Sequence, residues 1–141
     1  MRIFVAGLAL GLAALAGSSV PARSIACDHG PYIVFFSKDA AYISMEAREV
    51  LDSWTQAIGD CGPARTMIAG HTDLGETDDL GDTRIRTVRA YLVAHGIPAE
   101  EISSQNLGQS MPRIPSDEGG NHSENRRVEI SRIYPPLPSE S

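Results

Sequence analysis

The chain has 141 residues, 42% of them hydrophobic and 21% charged, and a formal net charge of -6 at pH 7. That balance fits one packed globular domain rather than a disordered segment. An acidic chain of this kind has no general attraction for nucleic acid or an anionic lipid surface, so any binding must come from a local site.

Met1 and Arg2 give a short positive start, Ile3 to Ala16 form an apolar run broken only by Gly7 and Gly11, and Gly17, Ser18 and Ser19 follow. This is the three-part layout of a secretory signal. The run is shorter than the ~20 apolar residues of a membrane-crossing helix. Small residues offer cleavage after Ala22 or after Ala26. Residues 1–22 are therefore expected to be a signal peptide, leaving about 115 to 119 residues in the bacterial periplasm, enough for one core. Nothing downstream is apolar for long enough to span a membrane, so no direct span is expected after cleavage.

Cys27 and Cys61 are the two cysteines, and both survive cleavage. In an oxidising compartment an even pair is most simply a disulfide. It would close a loop of about 34 residues, for which the chain-entropy model gives roughly 3 to 4 kcal/mol. The other reading is lipidation of Cys27. Against it stand Ser24, where a lipobox prefers a large aliphatic residue, and Arg23, which separates Cys27 from the apolar run.

Tyr32 to Phe36 is a compact apolar run between Gly30-Pro31 and Ser37-Lys38-Asp39, which predicts a buried strand. Ser44 predicts a helix cap, with Glu46 in the first turn. Ala47, Val50, Leu51, Trp54 and Ile58 then recur at helical spacing and form a core stripe. Gly59 and Gly62-Pro63 stop that helix. Thr66 to Ala69 predicts a second strand, running into Gly70-His71-Thr72-Asp73. An acidic stretch from Glu76 to Asp82 leads into a second helix, with Ile85, Val88, Tyr91 and Leu92 inside and Gly96 as a left-handed cap. A third strand is expected near Ser103 to Leu107, a loop over 108–123, and a last strand from Asn125 to Ile133. In that strand Val128 and Ile130 share one face, and the tail 134–141 is expected to be flexible. The order implies an α/β two-layer sandwich: a mixed sheet of four strands with two helices on one face.

Asp73 sits past a strand's C-terminal end, and Arg84 lies near the start of the next helix. A carboxylate and a planar guanidinium in one crevice suit a zwitterionic ligand, the first holding an ammonium and the second a carboxylate. The plainer alternative is that Asp73 and Arg84 pair with each other.

The motif Gly70-His71-Thr72-Asp73, then Leu80, Arg84, Val88, Tyr91-Leu92, Gly96-Ile97, Gly108, Ser110, Pro112 and finally Asn125-Arg126-Arg127-Val128-Glu129-Ile130 resembles the OmpA-like C-terminal domain over residues 31–133. The cysteine pair resembles that of a periplasmic subgroup of the family. The resemblance implies non-covalent binding of peptidoglycan through the diaminopimelate of its stem peptide, with Asp73 on the ammonium and Arg84 on the carboxylate. It implies no enzyme activity and no cofactor, and a place in the periplasm associated with the outer membrane or cell wall, beside other envelope proteins. Thr72, Thr77, Arg126 and Arg127 are carried over as supporting positions. Arg126 shares parity with Val128 and Ile130, which predicts a structural ion pair, while Arg127 points to the other face.

The segment from Asp73 to Arg84 is about four residues shorter than the family pattern, a change larger than the ~0.5 Å tolerance of a binding site. Thr77 stands where asparagine is usual, and Gly81 where serine is usual. Two other functions follow from these departures and residues. One is an envelope interaction protein that keeps the fold and has lost wall binding. The other is a metal-dependent hydrolase on His71 and Asp73, for which no second histidine has ligand spacing, so no metal is expected.

Overall fold

The computed structural model describes residues 30–61, 64–115 and 120–134. The expected signal peptide, Cys27 and the tail beyond Tyr134 lie outside the described residues. The elements follow in the expected order: β1 (Tyr32–Phe35), α1 (Met45–Asp60), β2 (Arg65–His71), α2 (Asp79–Ala94), β3 (Ile102–Gly108) and β4 (Arg127–Ile133). No helix of the described residues is long and apolar enough to cross a membrane.

The strands form one sheet in the order β1-β4-β2-β3. β2 pairs with β3 in parallel, while β4 runs antiparallel to both β1 and β2, so the sheet is mixed. Register places Val34 beside Val128 and Ile68 beside Ile130. With Phe36 they meet Ala47, Leu51 and Trp54 of α1 and Ile85, Val88 and Leu92 of α2 in one buried cluster. Both helices therefore cover the same sheet face. Trp54 stands edge-on to Tyr32, with ring centroids 5.1 Å apart.

The helix ends follow from local chemistry. Ser44 Oγ accepts from the Ala47 amide at 3.1 Å, closing the first turn of α1. At the end of α2, Gly96 takes φ +98°, and the Ile97 amide returns to Leu92 O at 3.1 Å. This is the left-handed cap that glycine makes cheap. Cys61 caps α1, and no described cysteine is a free thiol. Strand boundaries move by one or two residues: β1 ends at Phe35 rather than Phe36, β2 spans Arg65–His71 rather than Thr66 to Ala69, and β4 begins at Arg127. Asn125 belongs to a short 3-10 turn (Ser123–Asn125) rather than to β4, because its amide side chain is taken up by the loop before it.

The buried stripe of α2 is Gly81, Arg84, Ile85, Val88 and Leu92, so a guanidinium stands in line with the core residues. Close approach of α2 to β2 brings it there. A Cβ on Gly70 would lie 2.7 Å from Gly81 O and 2.8 Å from Ile85 Cδ1, so only glycine permits this contact. Gly70→Ala should therefore push α2 off the end of β2, at a cost of about 1–3 kcal/mol. A fall in the urea midpoint with unchanged m-value checks it.

Candidate functional site at the end of β2

β2 ends with an irregular register between Gly70 and His71. The chain stays tied to β3 for one more residue, through the Thr72 amide and Gly108 O at 3.0 Å. It then makes a tight turn in which the Glu76 amide donates to Asp73 O at 3.1 Å and the Asp73 amide to Glu76 Oε2 at 2.9 Å. The turn aims the Glu76 carboxylate inward.

Arg84 and the backbone amide of Asp73 meet at one carboxylate, that of Glu76, while the Asp73 side chain turns to residues 121–125 and does not pair with Arg84. Glu76 takes the guanidinium instead, accepting from Nη1 at 2.8 Å and Nη2 at 2.6 Å in a two-pronged ion pair. The remaining Arg84 donors go to backbone carbonyls: Nε to Ala40 O at 2.9 Å, Nη1 to His71 O at 3.1 Å and Nη2 to Ser37 O at 3.3 Å. The guanidinium carbon lies 5.3 Å from the Phe36 ring centroid. Arg84 is 0% and Glu76 5% exposed, so the pair is sealed from solvent. Burial pushes the Glu76 carboxyl upward, yet its bonds from Arg84, the Asp73 amide and the Asp39 amide outweigh this and hold it below the usual carboxylate range.

Asp73 is 2% exposed and lies beneath residues 120–125. Its Oδ2 accepts from the amides of Asn121 at 2.5 Å and His122 at 2.6 Å, and its Oδ1 accepts from Asn125 Nδ2 at 3.0 Å. Burial acts to raise its pKa, and these donors, Asn125 first, bring it down instead. Asn125 also fixes the preceding loop, its Oδ1 accepting from the amides of Arg113 and Ile114 and its Nδ2 donating to Ile114 O. Beside this network lies a cleft of about 180 Å³ lined by Thr72, Leu74, Gln109, Pro112 and Asn125. Gln109 Nε2 closes one wall by donating to Glu76 O at 2.8 Å. A larger cavity, about 230 Å³ near Ile58, Gly96 and Ile97, lies by the helix C-termini and touches none of these groups.

Thr72 is buried in the cleft wall, whereas Thr77 is exposed and makes no side-chain bond among the described residues. Arg126 departs from the expected ion pair, and Arg127, for which parity sets only the face, forms one. Arg126 forms no ion pair among the described residues; it donates to Phe36 O at 3.1 Å, because the edge of β1 presents a backbone acceptor rather than a carboxylate. Arg127, on the opposite face, pairs with Glu129 at 2.7 Å and donates to Met111 O at 3.1 Å. His71 shares that face, 3.9 Å from Glu129, with neither ring nitrogen hydrogen-bonded. Burial, then repulsion from Arg127, lowers its pKa against the pull of Glu129, so the contact joins a neutral ring to a carboxylate and is not an ion pair near neutral pH. His71 and Asp73 thus serve different surroundings, and no group of three or more metal-ligating side chains is gathered among the described residues.

Sequence reasoning missed Glu76. The legible signal was Asp73-Leu74-Gly75-Glu76, the spacing at which an acidic side chain reaches back to the amide three residues earlier.

Comparison with known proteins follows the same lines. The OmpA family model matches residues 35–126. The chain is 30% identical over 109 residues to an outer membrane protein of Gluconacetobacter diazotrophicus, covering 70% of this chain and 29% of that one. It is 28% identical to the peptidoglycan-associated lipoprotein of Pseudomonas aeruginosa, covering 70% and 60%. It is 31% identical to the peptidoglycan-binding protein ArfA of Mycobacterium bovis, covering 69% and 31%. The chain therefore spans less than two thirds of each of these relatives. Among solved structures, the peptidoglycan-associated lipoprotein of Burkholderia pseudomallei superposes with a TM-score of 0.63 at 24% identity, over 72% of this chain and 89% of that one. The C-terminal domain of Helicobacter pylori MotB gives 0.66 at 20% identity, over 76% and 86%. These two likenesses concern the fold.

The lowered pKa values set an acid-stability profile. His71 stays neutral in the fold while the unfolded chain takes up a proton below 6.5, so stability should begin to fall below that pH. Glu76 and Asp73 contribute stability that is complete above their ordinary values of 4.5 and 3.8 and is lost as pH falls through the lower folded values. Because the His71 ring makes no hydrogen bond, His71→Leu should remove the first phase and leave the second. Urea titrations from pH 8 to 3 on both proteins check this.

Proposed function

Because the chain belongs to the OmpA family, matched over residues 35–126, we propose that it is a non-covalent peptidoglycan-binding domain, working in the bacterial periplasm on the diaminopimelate of the stem peptide. The observation that supports this reading most directly is that Asp73 and Arg84 both stand at the end of β2 and are joined through Glu76, which accepts from the Asp73 amide and from the Arg84 guanidinium. Diaminopimelate carries an ammonium and a carboxylate on one carbon, and these complement the two side chains. Binding and release need no bond made or broken, so the domain acts as an anchor rather than as an enzyme.

Occupation of the crevice proceeds by exchange. The ligand's carboxylate takes the place of Glu76 on Arg84, and its ammonium competes with the amides of residues 121 and 122 for Asp73. Removing one partner of a buried pair costs about 3–5 kcal/mol, and an incoming carboxylate returns most of that. The same saturation favours a second reading, an envelope interaction protein with the OmpA fold in which the crevice is purely structural.

Pull-down of the mature domain with diaminopimelate-type sacculi, at two salt concentrations, separates the two. Wall binding predicts retention of the wild type and at least a tenfold loss in Asp73→Asn, which keeps the shape and removes the charge. Retention of neither, with circular dichroism unchanged, moves the assignment to the interaction protein.

We also propose that the mature chain carries the Cys27–Cys61 disulfide, since Cys61 caps α1 and is not a free thiol. Denatured, unreduced protein from the periplasm should show no free thiol and no acyl chain by mass spectrometry. An acylated Cys27 would replace the disulfide with a lipid anchor.

A further inference from the structure

A guanidinium presents five N–H donors, and Arg84 spends all of them within its own chain. Three go to the backbone carbonyls of Ser37, Ala40 and His71, which cannot leave without unfolding β2 or the segment after β1. The other two form the fork, and the fork holds the one acceptor that is a side chain, Glu76. Glu76 comes from a surface turn flanked by exposed Leu74, Gly75 and Thr77. Gly75 takes φ +92°, with open space where a Cβ would stand. A rigid backbone cradle with one detachable carboxylate differs from an ion pair buried in the core on both sides.

We infer that Glu76 is an internal ligand: it fills on Arg84 the seat of an external carboxylate and so decides which ligands the crevice accepts. The inference rests on the wall-binding reading only for the natural ligand's identity. A molecule whose sole anionic group is a carboxylate must expel Glu76 first, and it gains only the difference between two similar two-pronged bonds. With the Glu76 side chain gone, the cradle remains and the seat is vacant, so a small carboxylate from solution should bind there directly. Glu76 thus acts as a specificity-determining residue: it lowers affinity for carboxylate ligands, and its removal frees the Asp73 amide but none of the donors to the Asp73 carboxylate.

Chemical rescue of the mature protein tests this apart from any wall ligand. Glu76→Ala should unfold at a lower urea concentration than wild type in chloride buffer. Acetate or propionate at matched ionic strength should restore much of the loss with a saturable dependence, as expected when a ligand binds only the folded state. Acetamide, the uncharged analogue, should not. Wild type, Glu76→Gln and the double variant Glu76→Ala, Arg84→Leu should show no carboxylate-specific gain. If Glu76→Ala folds only when acetate is present, the inference is supported. If it gains nothing from either carboxylate, folded or not, Glu76 is a structural partner alone and the inference is overturned. Sacculus retention of the same variant provides the second readout. An increase of tenfold or more over wild type joins the inference to wall binding. Acetate rescue without any retention keeps Glu76 as the occupant and discards the wall as the ligand.

Discussion

The end of the sheet depends on one buried ion pair, Glu76 with Arg84. Taking two charges out of water is costly, and the return comes only when every remaining donor and acceptor is satisfied. Here it is: Arg84 adds three carbonyls to its fork, and Glu76 adds the amides of Asp39 and Asp73. The pair therefore ties together the segment after β1, the last residue of β2, the turn that follows and the second turn of α2. Loss of one partner at about 3–5 kcal/mol is a large part of the 5–15 kcal/mol that holds a domain of this size. Phe36 underneath the guanidinium connects this polar knot to the core cluster.

A second network, around Asp73, is built differently. Its donors are two adjacent main-chain amides and Asn125, and Asn125 is at the same time the organiser of the loop through residues 113 and 114. The two networks share the turn from Asp73 to Glu76, because the Asp73 amide is itself a donor to Glu76. Displacement at Arg84 frees that amide, and displacement at Asp73 loosens the segment from residue 120 to 125. The shared hydrogen bond thus couples the two networks through a single turn.

Much of the architecture was legible because period and punctuation agreed. The α1 stripe through Trp54, the Ser44 cap and the Gly96 stop each rest on one local rule, and each element forms where that rule puts it. The dispersed family motif pointed to Asp73 and Arg84, and both are buried in hydrogen-bond networks at the end of β2. What was not legible was who their partners are. Parity assigned Arg126 to an ion pair, but parity says which face a side chain takes and nothing about whether a carboxylate or a carbonyl waits there. Glu76 and Asp39 meet across 37 residues, and Arg127 finds Met111 O across a loop with no periodic signal. Such pairings are tertiary, and no window along the chain contains them.

The turn after Asp73 sets the partner of Arg84 through geometry. A turn of four residues returns Glu76 beneath Asp73, and the two methylenes of a glutamate then span the gap to the guanidinium. An aspartate at the same place would fall a carbon short, and a longer turn would carry the carboxylate outward. The acidic residues that follow, Asp78, Asp79 and Asp82, are more exposed and repel a second anion, whereas at the Glu76 seat a carboxylate meets the compensating positive charge of Arg84. Whatever ligand the domain takes must therefore match Glu76 in charge and in two-pronged shape, or leave Arg84 alone and bind through Asp73.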